Sequence, residues 1–242
     1  MRRAAVLLGA GVALAACGAS SHRVVTPTNP VALAARAMAA TSVSFCFDTT
    51  ASAQGGQERL SGCGEESAHA QLLRFGEQLE ELVAGQSASS SENVIVVGTK
   101  LWIQSKGLWY REPNVPTVVE PASLAALLER VPKFVVGRGG VVDKVQTLAY
   151  TANLSGSQLT GLIDSLPAGL RSQYQQEGIR QLSVDAELSQ RGRLLAVDEL
   201  EHLVDAGQQV QVVQAVVFSG FGEAVSVSPP PTSLIGSGQP SG

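Results

Sequence analysis

The sequence has little of what most chemistry needs. Three histidines are present, His22, His69 and His202, in unrelated segments. The cysteines are Cys17, Cys46 and Cys63, and no group of these residues has the spacing of a metal site. No Gly-x-Ser-x-Gly elbow occurs, which excludes a serine hydrolase of that type. Neither common phosphate-binding glycine motif occurs, and Gly137-Arg138-Gly139-Gly140 is only a turn-like loop. Asp198, Glu199 and Glu201 cluster acid on one strand, which reads as a wet face rather than a catalytic pair. Lys and Arg number 17 against 21 Asp and Glu, a net charge of −4, so no basic surface invites nucleic acid. The reading is of a non-enzyme with no catalytic residue, metal or cofactor.

Long apolar runs are also missing. Leu14-Ala15-Ala16-Cys17 follows Arg2, Arg3 and a short apolar stretch, Ala4 to Ala13. A positive start, an apolar middle and small residues before a cut make a secretory signal. A membrane-spanning helix needs ~20 apolar residues, and the polar Ser20-Ser21-His22-Arg23 comes too soon. A cysteine directly after the small pair resembles a bacterial lipobox. Residues 1–16 are thus expected to be removed, leaving Cys17 as a lipidated first residue. Residues 17–30, with Pro27 and Pro30, read as a tether to the domain.

The remaining cysteines are set in a hairpin pattern. Val43-Ser44-Phe45-Cys46-Phe47-Asp48 alternates as a strand, Gln54-Gly55-Gly56-Gln57 turns, and Glu58 to Gly64 returns. Placing Cys46 opposite Cys63 puts Val43, Phe45, Phe47, Leu60, Gly62 and Gly64 on one face. Ser44, Cys46, Asp48, Ser61 and Cys63 take the other. Pairing and polarity agree, which predicts a Cys46–Cys63 disulfide.

Along the chain, a helix is expected from Pro30 to Met38. Residues 67–85 fit either a helix, from Leu72, Phe75, Leu79 and Leu82, or a strand that continues the first sheet. Residues 87–91 read as a loop. A meander follows through Val94–Val97, Leu101–Gln104 and Leu108–Tyr110. Helices are expected at Pro121–Val131, at Ser157–Leu166 with Ser157 as N-cap, and at Leu170–Glu177. Strands are expected at Val145–Leu154, Leu182–Ser189, Leu194–Leu203 and Gln209–Phe218. Pro229-Pro230-Pro231 closes a domain of residues 31–228, and the Gly-, Ser- and Pro-rich residues 229–242 are expected to be disordered. One-sided alternation means a sheet with one dry face, and the apolar helices are its available cover. The fold class is α+β: a curved antiparallel half-barrel sheet with helices packed on its concave face.

The order of these elements, with Asn93–Gly98, Gly107–Tyr110, Leu148–Leu154, Leu182–Asp185, Arg191–Leu194 and Val217–Val227 in sequence, is similar to the actinobacterial LppX, LprA, LprF and LprG lipoproteins. Those proteins are related in fold to the LolA and LolB carriers. The resemblance implies an apolar cavity between sheet and helices and a lipid or glycolipid ligand carried across the cell envelope. It also implies a monomer held by an acyl anchor on the extracytoplasmic face of the cell membrane. Only Cys17 transfers residue by residue. Phe45, Phe47, Trp102, Tyr150, Val212 and Phe218 are the candidate cavity residues, and Gly62 and Gly64 opposite the phenylalanines leave room for a ligand. The alternative is an envelope interaction or signalling module of the same fold, with a closed core and a protein partner.

Overall fold

A computed structural model describes residues 29–67, 72–83, 86–112, 121–205 and 207–236. Cys17, His22 and His69 lie outside the described residues, as do the expected signal and all but the last two residues of the tether.

The chain enters through α1 (Pro30–Ala39). Asn29 caps it by accepting from the backbone N–H of Val31 at 3.0 Å, and Pro30 costs no hydrogen bond at the first position. Val31, Ala34, Ala35 and Met38 recur at helical spacing and are buried. Six strands follow as a meander: β1 (Ser42–Ala53), β2 (Gly56–Ser67), β3 (Leu72–Val83), β4 (Gln86–Val97), β5 (Lys100–Ser105) and β6 (Leu108–Glu112). Next come α2 (Pro121–Leu128), the short β7 (Val135–Val136) and β8 (Val141–Val142), and β9 (Val145–Ser155). Helices α3 (Gly156–Ser165) and α4 (Ala168–Glu177) precede β10 (Ile179–Ser189), β11 (Leu194–Asp205) and β12 (Gln208–Ser219). Gly178 ends α4 at φ +66, the left-handed cap that glycine adopts without a Cβ penalty.

The sheet order is β6-β5-β4-β3-β2-β1-β12-β11-β10-β9-β7, and β8 pairs with β9 off this path. Every neighbour is antiparallel, and all but two neighbour pairs, β1 with β12 and β9 with β7, are consecutive in the chain. The first strand thus meets the last in mid-sheet, joining two wings. This is the expected α+β architecture: an open curved sheet whose helices cover the concave face. Phe45, Phe75, Leu101, Leu127, Leu128, Leu182 and Leu194 form the centre of the core, each less than 2% exposed.

Three local expectations are corrected, and one open choice is decided. Residues 72–83 form a strand. Leu73, Phe75 and Leu79 face the helices, whereas Leu72 and Leu82 fall on the other parity. The helical spacing had mixed two faces. Residues 87–91 belong to β4, paired to β3 along its length. Their serines are exposed on both sides, so no alternation marks them. The third helix begins at Gly156 with Ser155 at the cap and no side-chain cap bond, so Ser157 is not the N-cap. Finally, Thr232–Leu234 form a single 3-10 turn and Ile235 bridges Trp109. The Gly236 N–H donates to the Trp109 carbonyl at 2.8 Å. This part of the tail, expected to be disordered, covers the edge strand β6 and satisfies its backbone. Residues 237–242 lie outside the described residues.

Cys46 and Cys63 face each other in the β1–β2 register and are bridged, their Cα atoms 4.0 Å apart. They are separated by 17 residues, and a loop of that size contributes ~3 kcal/mol in the chain-entropy model. Reduction and alkylation should therefore lower the urea unfolding free energy by about that amount while leaving the far-ultraviolet circular dichroism intact. Phe45→Ala, which empties the centre of the core, should cost about 3–5 kcal/mol in the same measurement. A loss below ~1 kcal/mol for Phe45→Ala would contradict the packing described.

Candidate functional site

The concave face is best read in rows across the strands. One row runs Phe218, Phe45, Gly64, Phe75, Val94, Ile103 and Tyr110 from β12 to β6. It is almost wholly apolar. The next runs Val197, Val216, Phe47, Gly62, Glu77 and Glu92. The third runs Val184, Glu199, Gln214, Thr49, Leu60, Leu79 and Ser90. The fourth runs Leu182, Glu201, Val212, Ala51, Glu58, Glu81 and Ala88. The dry face therefore changes character along the strands, from phenylalanine to glutamate.

Five of the six expected cavity residues share this face. Phe45, Phe47, Val212 and Phe218 are buried there, and Tyr150 packs partly buried against the same core. Phe47 sits between Phe45 and Phe75, with ring centroids 6.4 Å and 6.3 Å away. Trp102 does not join them. Its neighbours Leu101 and Ile103 pack into the core, so Trp102 points to the convex side beside Ile95 and Arg111. Trp102 is 5% exposed, and an alternating strand with both faces buried gives no parity signal. The room expected over Gly62 and Gly64 is also absent. A Cβ on Gly62 would lie 2.2 Å from the Gly76 carbonyl oxygen and 3.0 Å from the Phe47 ring. One on Gly64 would lie 2.4 Å from both the Arg74 carbonyl oxygen and the Phe75 Cβ. These glycines let β3 approach β2 closely and do not leave a void.

Glu199 and Glu201 are the residues the sequence reading misplaced. Asp198 points outward, but Glu199 and Glu201 share parity with Val197 and Leu203 and are 6% and 9% exposed. The run Leu194-Leu195-Ala196-Val197 is buried throughout and hides which parity faces in. The shared parity with Leu203 was the available signal. From α4, the buried Gln173 and Tyr174 and the half-buried Glu177 approach the same place. Gln173 Nε2 donates to Glu177 Oε1 at 3.0 Å, and Gln214 Nε2 donates to Glu199 Oε2 at 3.3 Å.

Burial dominates the protonation of this cluster. It raises the Glu199 carboxyl to about 7, with Glu177 adding repulsion. It raises Glu201 well above the usual carboxylate range, with Glu199 and Glu177 adding to the effect. Glu177 is raised by burial against a smaller opposing pull from Gln173. Across the sheet, Glu77 is raised to about 7 by burial and by Glu92, and Glu58 is raised by burial and by Glu81. Among the described residues no three acidic, histidine or cysteine groups converge to hold a metal ion.

The convex face carries the disulfide on the floor of a shallow groove of about 730 Å³, between Asp48, Ser61, Gly76 and Asn93. Arg59 pairs with Asp48 and Arg74 with Glu65 on this face, both exposed. Such pairs contribute ~0–1 kcal/mol each.

No family model and no curated protein matches the sequence. Among solved structures the chain is similar to LprF from Mycobacterium bovis, with a TM-score of 0.52 and 11% identity. That match covers 83% of this chain and 95% of LprF. Lipoprotein LppX of Mycobacterium tuberculosis aligns over 83% of this chain and 100% of its own, at TM-score 0.43 and 16% identity. The MucA/MucB complex of Pseudomonas aeruginosa aligns over 86% of this chain and 60% of that one, at TM-score 0.33 and 13% identity. The first of these establishes an LprF-like fold. Among the described residues no helix is long and apolar enough to cross a membrane.

The raised carboxyls give stability a definite pH dependence. Between about 4.5 and about 7 the folded protein holds protons on Glu199 and Glu77 that the unfolded chain has released. Stability is then fully present below 4.5 and falls as pH rises through 7. For the fully buried Glu199 the loss is about 3 kcal/mol. Asp48, lowered chiefly by its hydrogen bond with Arg59, acts in the opposite sense but is exposed. The melting temperature should thus drop from pH 5 to pH 8, and Glu199→Gln should flatten that slope. A melting temperature that climbs over the same interval would contradict the burial of these groups.

Proposed function

We propose that this chain is a membrane-anchored lipoprotein that holds a lipid or glycolipid between its sheet and its helices. It would help carry that molecule across the cell envelope, working as a monomer on the extracytoplasmic face. The reading is carried by the LprF-like fold, matched over 83% of this chain. Leu14-Ala15-Ala16-Cys17 supports it from the sequence, since a diacylated cysteine has enough buried CH₂ for stable anchoring. The row of Phe45, Phe75, Val94 and Phe218 is apolar, as the wall of a lipid pocket would be, and it is packed within the core. No motif residue is needed for such a site, in keeping with a non-enzyme.

One observation favours the second reading, a closed interaction module. The Phe47 ring fills the space over Gly62, where a ligand had been expected. The two readings separate in one experiment. The domain without its lipidation cysteine is purified from a lipid-replete host and extracted into organic solvent for mass spectrometry. Stoichiometric lipid supports the carrier; a lipid-free domain with a stable cross-linked protein partner in cells supports the module. Cys17→Ala should move the protein from the membrane fraction to the soluble fraction. Unchanged membrane retention would remove the anchor from the proposal.

A further inference from the structure

The β7–β9 edge of the sheet exposes a run of apolar side chains. Val135, Val136 and Val141 are each 62% exposed, and Val145 and Leu148 beside them are 42% and 44% exposed. Pairing places them on both faces of the edge. Val136, Val141 and Leu148 stand opposite Tyr150, Gln146 and Leu188 and share the concave parity. Val135 and Val145, opposite Thr151 and Val142, take the convex one. Single exposed apolar residues need no explanation, but a contiguous group marks a surface that is used.

The segment is held firmly in place. The Gly137 N–H donates to the Ala149 carbonyl at 2.8 Å, and the Thr147 N–H donates to the Gly140 carbonyl at 3.1 Å. The Gly140 N–H donates to Thr147 Oγ1 at 3.0 Å, and that hydroxyl donates to Glu187. A Cβ on Gly139 would lie 1.7 Å from the Thr147 carbonyl oxygen, so only glycine lets the chain lie this close to β9. Asp143 and Lys144 close the β8–β9 hairpin at φ +44 and +64, a two-residue turn whose twist suits antiparallel strands. The valines are thus presented on a fixed edge.

The same edge is basic. Lys133, Arg138 and Lys144 are exposed, and Asp143 is the one acid between Lys133 and Leu148, in a chain of net charge −4. Among the described residues no ion pair engages these three cations. The occupant of the edge must therefore be apolar and anionic at one surface. A second copy of this chain fits poorly, because a two-fold contact across this edge sets its cations against their own copies. A bilayer with anionic head groups supplies both chemistries, and it closes around an edge that is apolar on both faces. Twelve residues separate Cys17 from Asn29, at most about 40 Å of extended chain, so a domain tethered at Cys17 stays near such a surface.

We propose that the β7–β9 edge is a docking surface for a bilayer carrying anionic lipid. Val135, Val136 and Val141 enter the head-group layer, and Lys133, Arg138 and Lys144 pair with lipid phosphates. This goes beyond the carrier reading and does not depend on a ligand in the core. Three valine side chains hold fewer carbons than one myristoyl chain, which alone binds only marginally. The contact therefore orients the domain and does not replace the acyl anchor.

The test uses residues 17–242 with Cys17→Ala, so that no acyl chain contributes. The probes are vesicles of phosphatidylcholine alone and of phosphatidylcholine with about 30% phosphatidylglycerol, at about 0.1 M salt. The chain should partition at least about tenfold more strongly onto the anionic vesicles, as cations at roughly fivefold each imply, and about 0.5 M salt should release it. Lys133→Gln, Arg138→Gln and Lys144→Gln together should abolish the preference. Lys100→Gln, Arg180→Gln and Arg191→Gln together, at exposed cations elsewhere, should leave it unchanged. Val141→Trp should add a fluorescence that shifts to the blue on anionic vesicles only. All these positions are exposed, so the melting temperature should hold in every variant. Equal partitioning onto the two vesicles, no partitioning, or a preference that survives the first three substitutions overturns the docking surface and leaves the carrier to the lipid extraction. A dimer in sedimentation that Val136→Ser and Val141→Ser dissociate also overturns it and gives the edge to a second copy.

Discussion

The pairing of β1 with β12 is the constraint on which the rest depends. Ser44 to Ala53 align against Ser219 to Val210, so the first and last long strands of the chain form the middle of the sheet. Each wing is otherwise a meander whose strands meet their nearest neighbours in sequence. Without the seam there would be two open, strongly edged sheets, each with an uncovered apolar face. With it, Phe45 and Phe47 of one wing stand beside Phe218 and Val216 of the other. The helices then have one continuous surface to cover. Closing so long a loop is entropically expensive, and apolar contacts across the seam offset that cost.

The same seam decides the character of the concave face. It brings the phenylalanine row of β1–β3 into line with β12, and the glutamates of β11 into line with Thr49 and Leu60. The face is consequently graded. Its apolar part lies against the helices that close the core. Its acidic part lies under α4 and out along β2–β4, where Glu58 stands opposite Glu81 and Glu77 opposite Glu92. Apolar and acidic chemistry therefore share one surface. The disulfide, by contrast, lies on the opposite face and stiffens the first hairpin without touching this surface.

Much of the fold was legible because period and turn chemistry agreed. Val43, Phe45 and Phe47 alternate against a glycine turn, and that alone placed Cys46 opposite Cys63. Leu182, Val184, Ala186 and Leu188 alternate just as cleanly and are all buried. The signal failed where both faces of a strand are alike. Trp102 follows the buried Leu101 and is itself covered, so parity could not assign it to a side. Residues 87–91 are exposed on both faces, and only pairing with β3 makes them a strand. In both cases the deciding contact is made by a neighbouring strand and not by the residues of the segment itself.

The sequence by itself determined the α+β class, the strand faces with clean alternation, the cysteine pairing and the order of elements. These follow from local periodicity, which acts over a few residues. Only the tertiary structure decided that Glu199 and Glu201 are buried, that Trp102 looks outward and that residues 232–236 seal β6. Each of those depends on which surface a second element comes to cover. A helix that starts at Ala168 buries a strand that starts at Leu194, and the strand's own residues signal that cover only through the parity shared with Leu203.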